Sequence, residues 1–448
     1  MSIQSWKKAT YGIAMAAAAA SSLGLAPAIA EAAAPAPSAV ITVPCSGPAL
    51  SSAVAAAPPG SVLALARECT YVLTQGLPTI GDVLSLRGPA TISMSEPVMT
   101  ASQAPEPSQA TPNGPILTVG AGGDVTTDHV SFTGGDAAGE PGYGGAVYDD
   151  GGTVQVNYGT FSHNSASAAG GAIYNAGGGV LGVLGATFTG NSAGQGGAIE
   201  NAGTATITRS GFTANAAVGF GGAIGSDGVT GIRSSSFRGN TAYSGGAAYS
   251  KNGTLTIAAS NFTGNQTPAN GTAAPAGDMG EPRSGAGVAN VAQMTLTGDS
   301  FDSNGTGNGP TSKGGGIYND GTATLSGSTL SGNQAVAGGG FYNDATATLT
   351  GDAIQANSTA HDGGGIYNFG LLTVSKTRIH GNSAGLDGGG LLNGAFANVS
   401  GSRIYRNSAG IGGGGIHDYY MLTLANTVIS SNTPDNCESR LGATGCNP

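Results

Sequence analysis

The fold is decided by a stretch that reads Phe188-Thr-Gly-Asn-Ser-Ala-Gly-Gln-Gly-Gly-Ala-Ile-Glu-Asn201. It holds two boxes. One is an apolar residue followed three positions later by Asn, and the other is a glycine pair followed by a small and then an aliphatic residue. The first box occurs eleven times with the same offset, which identifies a repeat protein. Its Asn residues are Asn164, Asn191, Asn215, Asn240, Asn265, Asn304, Asn333, Asn357, Asn382, Asn407 and Asn432.

The glycine box recurs in phase with the Asn box. Its spacing is 24 to 26 residues, except for 40 and 29 residues between positions 245 and 314. Glycine lets a chain bend sharply and approach itself closely, so each box marks one turn of a repeating unit. The boxes begin at Gly144, Gly170, Gly196, Gly221, Gly245, Gly314, Gly338, Gly363, Gly388 and Gly413, with a variant at Gly285.

Between the boxes, polar and apolar residues alternate, as in Thr254-Leu-Thr-Ile257. A period of two indicates a strand with one buried face. Three short strands per unit predict an all-β fold, a single-stranded right-handed parallel β-helix of about 12 coils with capped ends. A β-propeller needs blades of about 40–50 residues, which are longer than these units.

The repeat register assigns a place to each recurring side chain. The apolar residues from Phe161 to Phe301, and the aliphatic residues from Leu330 onward, are predicted to stack inside the coil. The Asn residues are predicted to form a ladder at the next turn, in the left-handed backbone geometry that Asn tolerates.

Tyrosines follow the inward apolar residue in six units and are expected to point outward as a broken aromatic stripe. Such a stripe would either bind sugar rings or consist of tyrosines that merely stack on one another. These residues are Tyr148, Tyr174, Tyr249, Tyr318, Tyr342 and Tyr367.

The composition excludes several classes of protein. The chain has 81 glycines in 448 residues, only 15 basic and 25 acidic residues, and 39% hydrophobic residues. Glycine does not fall at every third position, which excludes collagen, and the scarcity of charge excludes disorder of the charged kind. A net charge of −10 makes nucleic acid a poor partner, because it cannot neutralise phosphates.

The N-terminus predicts export. Residues 1–30 have the pattern of a signal peptide, with Lys7 and Lys8 before an apolar region and an Ala28-Ile-Ala30 cleavage site. A membrane anchor is the alternative there. No transmembrane segment is expected in the mature chain, since no later stretch approaches roughly 20 apolar residues. The local pairs Cys45–Cys69 and Cys437–Cys446 are the natural disulfides, although four cysteines allow three pairings.

The paired boxes resemble the repeat of the chlamydial polymorphic outer membrane proteins, and equally the secreted bacterial β-helix proteins of the pectate-lyase-like class. The stretch from Cys45 to Tyr71 looks like their N-terminal cap, in which Leu50 and Val54 fit a short amphipathic helix. The resemblance covers roughly residues 40–446 and implies the fold much more strongly than a function.

The layout is predicted from these features. The repeats reach Asn432 and the sequence ends at Pro448, so we expect release to the exterior rather than the outer-membrane or cell-surface attachment of the family's anchored members. The segments are a signal peptide at 1–30, an Ala/Pro-rich linker at 31–44, an N-terminal cap with the first coils at 45–115, β-helix repeats at 116–432 and a disulfide cap at 433–448.

Related folds include polysaccharide lyases and hydrolases. Side chains one repeat apart in the sequence lie on adjacent coils, so the repeat register shows which of them could form a catalytic site. Asp320 and Asp344 should be neighbours on adjacent coils, as should Asp362 with Asp387 and Arg378 with Arg403. Calcium prefers 6–8 oxygen ligands, and neither acidic pair has a third carboxylate in register. No cofactor and no metal site are predicted, and the six residues are only weak catalytic candidates.

Two hypotheses for function remain. The first is a secreted, non-enzymatic β-helix that acts in adhesion or extracellular binding, with an extracellular polysaccharide or a cell-surface protein as partner. The second is a polysaccharide lyase or glycoside hydrolase. Loops on a rigid scaffold often carry function, and long turns are predicted at 265–285 and 304–314, which share one corner, and at 97–115 beside the cap.

Overall fold

The computed structural model describes residues 39–95, 114–139, 141–268, 284–307 and 312–446. Over these residues the chain is a parallel β-helix of about 14 turns, which confirms the predicted fold and is close to the predicted number of coils. The predicted signal peptide and parts of the three predicted long turns lie outside the described residues. In the described part, the one α-helix is Gly47–Ala56, and no helix has the length and apolar character to cross a membrane.

The largest sheet of the described chain has 27 strands, with two strands from most coils, and is called the first sheet. The strands that open each coil are Val40–Val43, Ser61–Leu65, Val83–Met94, Asp124–Thr133, Thr153–Asn157, Val180–Leu184, Thr204–Thr208, Val229–Arg233, Thr254–Ala258, Gln293–Thr297, Thr322–Ser326, Thr346–Thr350, Leu371–Ser375, Phe396–Ser400 and Met421–Ala425. The strands that follow them are Thr70–Leu73, Thr160–Ser162, Thr187–Thr189, Gly211–Thr213, Ser236–Arg238, Asn261–Thr263, Ser300–Asp302, Thr329–Ser331, Ala353–Gln355, Arg378–His380, Arg403–Tyr405 and Val428–Ser430.

The second sheet is built from the glycine boxes and has 13 strands in the described residues. They are Leu117–Gly120, Val147–Asp150, Ile173–Asn175, Ile199–Asn201, Ile224–Ser226, Ala248–Ser250, Val288–Asn290, Ile317–Asn319, Phe341–Asn343, Ile366–Asn368, Leu391–Asn393, Ile416–Asp418 and Cys437–Ser439. Short corner strands lie at Asp136–Ala137, Ser165–Ala169, Ser192–Gln195, Ala216–Ala217, Gln266–Thr267, Gly305–Thr306, Gln334–Ala335, Ser358–Thr359, Ser383–Ala384 and Ser408–Ala409.

The predicted interior column is present. Phe212, Phe237 and Phe262 pair in register on successive coils, and neighbouring rings are parallel with centroids 4.8 and 4.6 Å apart. All three are buried, and Leu330 and Ile354 continue the column. The stack forms because every coil contributes the same inward position, so the apolar side chains are removed from water together.

The Asn ladder is also present, but its backbone geometry differs from the prediction. The Nδ2 of Asn240 donates to Oδ1 of Asn265 at 2.9 Å and to the carbonyl of Phe212 at 3.1 Å. None of the ladder Asn residues has a positive φ. The left-handed residue is the one before each Asn, as at Gly239 and Ala214. The buried amide is satisfied by neighbours on both sides, and the turn is made one residue earlier.

Both glycines of each pair have a structural cause. The first has a positive φ, as at Gly170 with 67°, where a side chain would be strained. At the second, such as Gly171, a Cβ would collide with the carbonyl oxygen of Gly197 on the next coil. The pair therefore marks a sharp bend in close contact with the following coil, as predicted.

The N-terminal end is closed by the helix Gly47–Ala56, whose Leu50 and Val54 are buried. The Cys45–Cys69 disulfide connects this cap to the first coils. One boundary of the predicted linker is wrong, because Val40–Val43 forms a strand paired with Ser61–Leu65. The linker therefore ends before residue 40.

The C-terminal end has a different cap. Cys437–Ser439 adds a last strand to the second sheet beside Ile416–Asp418, and the Cys437–Cys446 disulfide closes the segment. Both disulfides have the predicted local pairing.

Candidate functional site

The outer face of the second sheet carries the tyrosine column. In the strand Ile317–Asn319, Ile317 points into the coil, and the alternation of a strand directs Tyr318 outward. Tyr249, Tyr318 and Tyr342 are buried in a second apolar cluster outside the coil, whereas Tyr148, Tyr174 and Tyr367 are half-buried. The column is therefore not an exposed stripe over its whole length.

A second Asn ladder holds these strands in register. The Nδ2 of Asn319 donates to Oδ1 of Asn343 at 2.8 Å, and Asn343 donates to Asn368 at 2.8 Å. Each Asn directly follows a residue of the tyrosine column, so the ladder fixes the height of each ring. The repeated Asn at the end of the glycine box was the sequence signal for this ladder, which was not predicted.

A pocket of about 440 Å³ opens on this face; we call it the tyrosine pocket. It spans three successive coils, and the buried rings of Tyr318 and Tyr342 belong to its lining. The lining residues are Lys313, Tyr318, Asp320, Tyr342, Asp344, Tyr367 and Phe369. Five of the twelve weak catalytic and binding candidates, namely Asp320, Asp344 and three tyrosines, therefore come together here.

The polar side of the pocket is organised around Asp344. The Nζ of Lys313 lies 3.2 Å from its Oδ2, and the hydroxyl of Tyr318 donates to the same oxygen at 3.0 Å. Burial, followed by the charges of Asp344 and Asp320, raises the pKa of Tyr318, so its hydroxyl stays protonated and acts as a donor. Lys313 also lies 4.8 Å from the centroid of the Tyr342 ring, a cation–π contact.

The aromatic side of the pocket is a short stack. The rings of Tyr342 and Tyr367 are parallel at 4.7 Å, and Phe369 follows at 6.4 Å from Tyr367. Phe369 lies against Gly394 on the next coil, where a Cβ would come within 2.9 Å of its ring. The missing side chain at Gly394 lets Phe369 rest on the backbone with 59% of its surface exposed.

The predicted pair Asp362 and Asp387 has another role. The backbone N–H of Asp387 donates to Oδ1 of Asp362 at 3.0 Å, and the N–H of Gly412 donates to Oδ1 of Asp387 at 3.0 Å. The other oxygen of Asp387 accepts from the Tyr419 hydroxyl at 2.9 Å. Each carboxylate therefore satisfies a backbone amide of the next coil, which is a structural use.

Arg378 and Arg403 stack in register, as predicted, but on the first sheet. Both are exposed, and neither forms an ion pair with an Asp candidate in the described residues. The arginines and acids therefore do not form one site. In the described part of the chain, no three His, Cys, Asp or Glu side chains are grouped so as to hold a metal ion.

Lys313 and Phe369 were missed by the sequence interpretation. Lys313 directly precedes a glycine pair, and Phe369 directly follows an Asn of the second ladder. Placing these two positions on the same register as the tyrosines would have shown that they border one pocket.

Comparison with known proteins supports the repeat assignment. Residues 159–176 and 185–202 match the Chlamydia polymorphic membrane protein repeat. No curated protein sequence matches significantly.

Two solved structures match this chain over most of its length. PfbA, a surface adhesin of Streptococcus pneumoniae, matches at 14% identity and a TM-score of 0.36, over 87% of this chain and 91% of that one. The pectate lyase Pel9A matches at 12% identity and a TM-score of 0.22, over 89% of this chain and 80% of that one. The chain is a parallel β-helix protein, and two of its repeats match the Chlamydia polymorphic membrane protein repeat.

Proposed function

We propose that this protein is a non-enzymatic binding protein of the cell exterior and that the tyrosine pocket holds a sugar ring. The observation that carries the proposal is the combination in one pocket of exposed aromatic surface with two carboxylates. The apolar face of a sugar stacks on an aromatic ring, while its hydroxyls hydrogen-bond to polar groups. Pockets with a few placed polar groups and aromatic walls are typical ligand sites.

The lining of the pocket supplies both kinds of contact. The half-buried ring of Tyr367 and the exposed ring of Phe369 provide the stacking surface. The carboxylates of Asp320 and Asp344 provide acceptors for sugar hydroxyls, and Lys313 is held in place by Asp344. These groups are anchored by the second Asn ladder, so little ordering is required on binding.

The two disulfides support the proposed location. Disulfides of this kind persist in oxidising compartments outside the cytosol. Secretion through the predicted signal peptide at 1–30 is therefore part of the proposal.

The test is retention of the secreted protein on an array of immobilised neutral and acidic glycans, followed by calorimetric titration with the best ligand. Tyr367→Ala should weaken binding about three- to tenfold, the effect of losing one stacking contact. Tyr174→Ala is the matched control, because Tyr174 belongs to the same column but lies outside the pocket.

Two results would contradict the proposal. The first is that no glycan on the array retains the wild-type protein, and the second is that the Tyr367→Ala variant binds as tightly as the control. Formation of unsaturated products from polyuronides, followed by ultraviolet absorbance, would instead favour the lyase alternative.

A further inference from the structure

Three successive coils next to the tyrosine pocket expose large apolar side chains at one corner, which we call the apolar corner. It consists of Phe369, Leu371, Phe396, Tyr420 and Met421, all between 46% and 59% exposed. Three of them, Leu371, Phe396 and Met421, are the first residues of neighbouring strands in the first sheet and pair in register. The rings of Phe396 and Tyr420 pack edge-to-face, with their centroids 5.1 Å apart.

The composition of this corner changes abruptly along the helix. On the two preceding coils the position of Leu371 is occupied by Thr322 and Thr346. The position of Phe369 is occupied by Asp344 one coil earlier, since Asn343 and Asn368 pair directly before them. Polar side chains therefore give way to apolar ones where the pocket ends, and such a contiguous exposed group marks a contact site more often than a single residue does.

We propose that the apolar corner extends the tyrosine pocket into a site for a neutral, extended polysaccharide that runs along the axis of the β-helix. This inference rests on the proposed function of the pocket. Phe369 belongs to both surfaces, so a chain that leaves the pocket over Phe369 meets Phe396 and Tyr420 next. Coils are about 4.8 Å apart, a step close to the length of one sugar residue in an extended β-linked chain.

Charge favours a neutral ligand over a uronide. The five side chains of the corner carry no formal charge, and the lining of the pocket carries two carboxylates against one lysine. A chain with a carboxylate on each sugar would meet repulsion in the pocket and gain no partner at the corner.

Size favours a linear ligand over a protein. A stable protein interface takes roughly 20–30 residues from each side, whereas the corner and the pocket together offer eleven. A polysaccharide chain needs only one narrow line of contacts, which is the shape of the exposed surface.

The experiment titrates the full secreted protein with glucose, cellotriose and cellohexaose, and with the corresponding xylose and galacturonate oligomers. Affinity for a neutral series is expected to rise at least about tenfold from three to six sugars, and hexagalacturonate should bind more weakly than the neutral hexamer. Phe396→Ala should reduce affinity for the hexamer about three- to tenfold and leave affinity for the shortest bound sugar unchanged.

Val229→Ala is the matched control, because Val229 occupies the same register position on an earlier coil and is also exposed. Gly394→Ala would displace the Phe369 ring, which belongs to both surfaces, so it should weaken affinity for the hexamer and for the shortest bound sugar alike. Phe396→Ala and Gly394→Ala must each keep the wild-type melting temperature, which separates a local effect on binding from misfolding.

The results distinguish the two proposals. Binding of short sugars without any gain with length, or tighter binding of hexagalacturonate, would overturn the extended neutral ligand alone. Absence of all glycan binding would overturn the pocket proposal as well. Self-association in light scattering that Phe396→Ala abolishes would assign the corner to a second copy of the chain and overturn the inference.

Discussion

The carboxylate of Glu200 occupies the space next to Gly225 on the following coil, where a Cβ would collide with it. Glu200 stands in the tyrosine column between Tyr174 and Gly225 and is 6% exposed. Its Oε2 has no hydrogen-bond partner among the described residues. Burial, with a smaller contribution from Asp227 and partly offset by Lys251, raises the pKa of Glu200 to about 8.

This burial predicts a loss of stability as the pH rises from mild acid to about 8. The pKa of Glu200 rises from 4.5 in the unfolded chain to about 8, so the folded state binds the proton more tightly. The contribution of protonated Glu200 to the free energy of unfolding is fully present below pH 4.5 and is lost as the pH rises towards 8. One pKa unit corresponds to about 1.4 kcal/mol, so the total loss is on the order of a few kcal/mol.

The measurement is the urea midpoint of unfolding between pH 4 and pH 9. Glu200→Gln keeps the shape but cannot ionise, so its midpoint should fall less over this range than that of the wild type. Glu68→Gln is the control, because its side chain is 83% exposed. Parallel pH profiles for the wild type and Glu200→Gln would contradict the prediction.

Replacing the buried Asp352 by serine is expected to stabilise the protein. Asp352 belongs to a ladder in which Ser210, Ser235, Ser260 and Ser328 hold the equivalent position. Burial, opposed by the amides of Ser328 and Thr350, raises the pKa of Asp352 to about 6. Asp352→Ser keeps an acceptor for Ser328 and removes the buried charge, so it should stabilise the protein by about 1–3 kcal/mol at pH 8.

The pH dependence of this stabilisation serves as an internal control. Below pH 3.8 the aspartate is protonated in both states, and wild-type stability falls as pH rises from there to about 6. The advantage of Asp352→Ser should therefore be small at pH 4 and complete above pH 6. An advantage of equal size at both pH values would show that packing, and not ionisation, is the cause.

Replacing a ladder asparagine should destabilise the protein much more than replacing an exposed asparagine. The amide of Asn240 donates to Asn265 and Phe212, and its Oδ1 accepts from Asn215. Asn240→Ala leaves these buried groups without partners and should cost about 2–4 kcal/mol. The control Asn252→Ala removes an exposed contact to Asp227 and should cost under about 0.5 kcal/mol, both measured by urea unfolding.

Repetition explains how much of the fold the sequence could predict. The Phe column, the Asn ladder, the glycine turns and the pairing of Cys45 with Cys69 each follow from a local pattern or a short separation. Asp320 and Asp344, which the same register predicts to be neighbours, both line the tyrosine pocket. The sequence was less informative about properties, such as side-chain burial, that depend on contacts between coils as well as on the register.

The exposure of the tyrosines is the clearest example. Alternation directs Tyr318 and Tyr342 out of the coil, but it does not show that neighbouring rings and Lys313 cover them. The left-handed residue before each Asn was likewise missed, because that position is glycine in some units, such as Gly239, but His163 or Ala214 in others. The pocket depends on contacts among three coils, and only coordinates show which of the repeated outward positions leave space.

An inward and an outward position on adjacent coils should differ strongly in how much stability is lost when a charge is introduced. Phe237 lies fully inside, stacked between Phe212 and Phe262, so Phe237→Asp would bury an unpaired carboxylate at a cost on the order of 3–5 kcal/mol. Thr256 lies on the outer face of the next coil between inward-facing Leu255 and Ile257, so Thr256→Asp should cost at most about 1 kcal/mol. Thermal unfolding of the two variants measures the difference, and equal melting temperatures would contradict the assigned register of the coil.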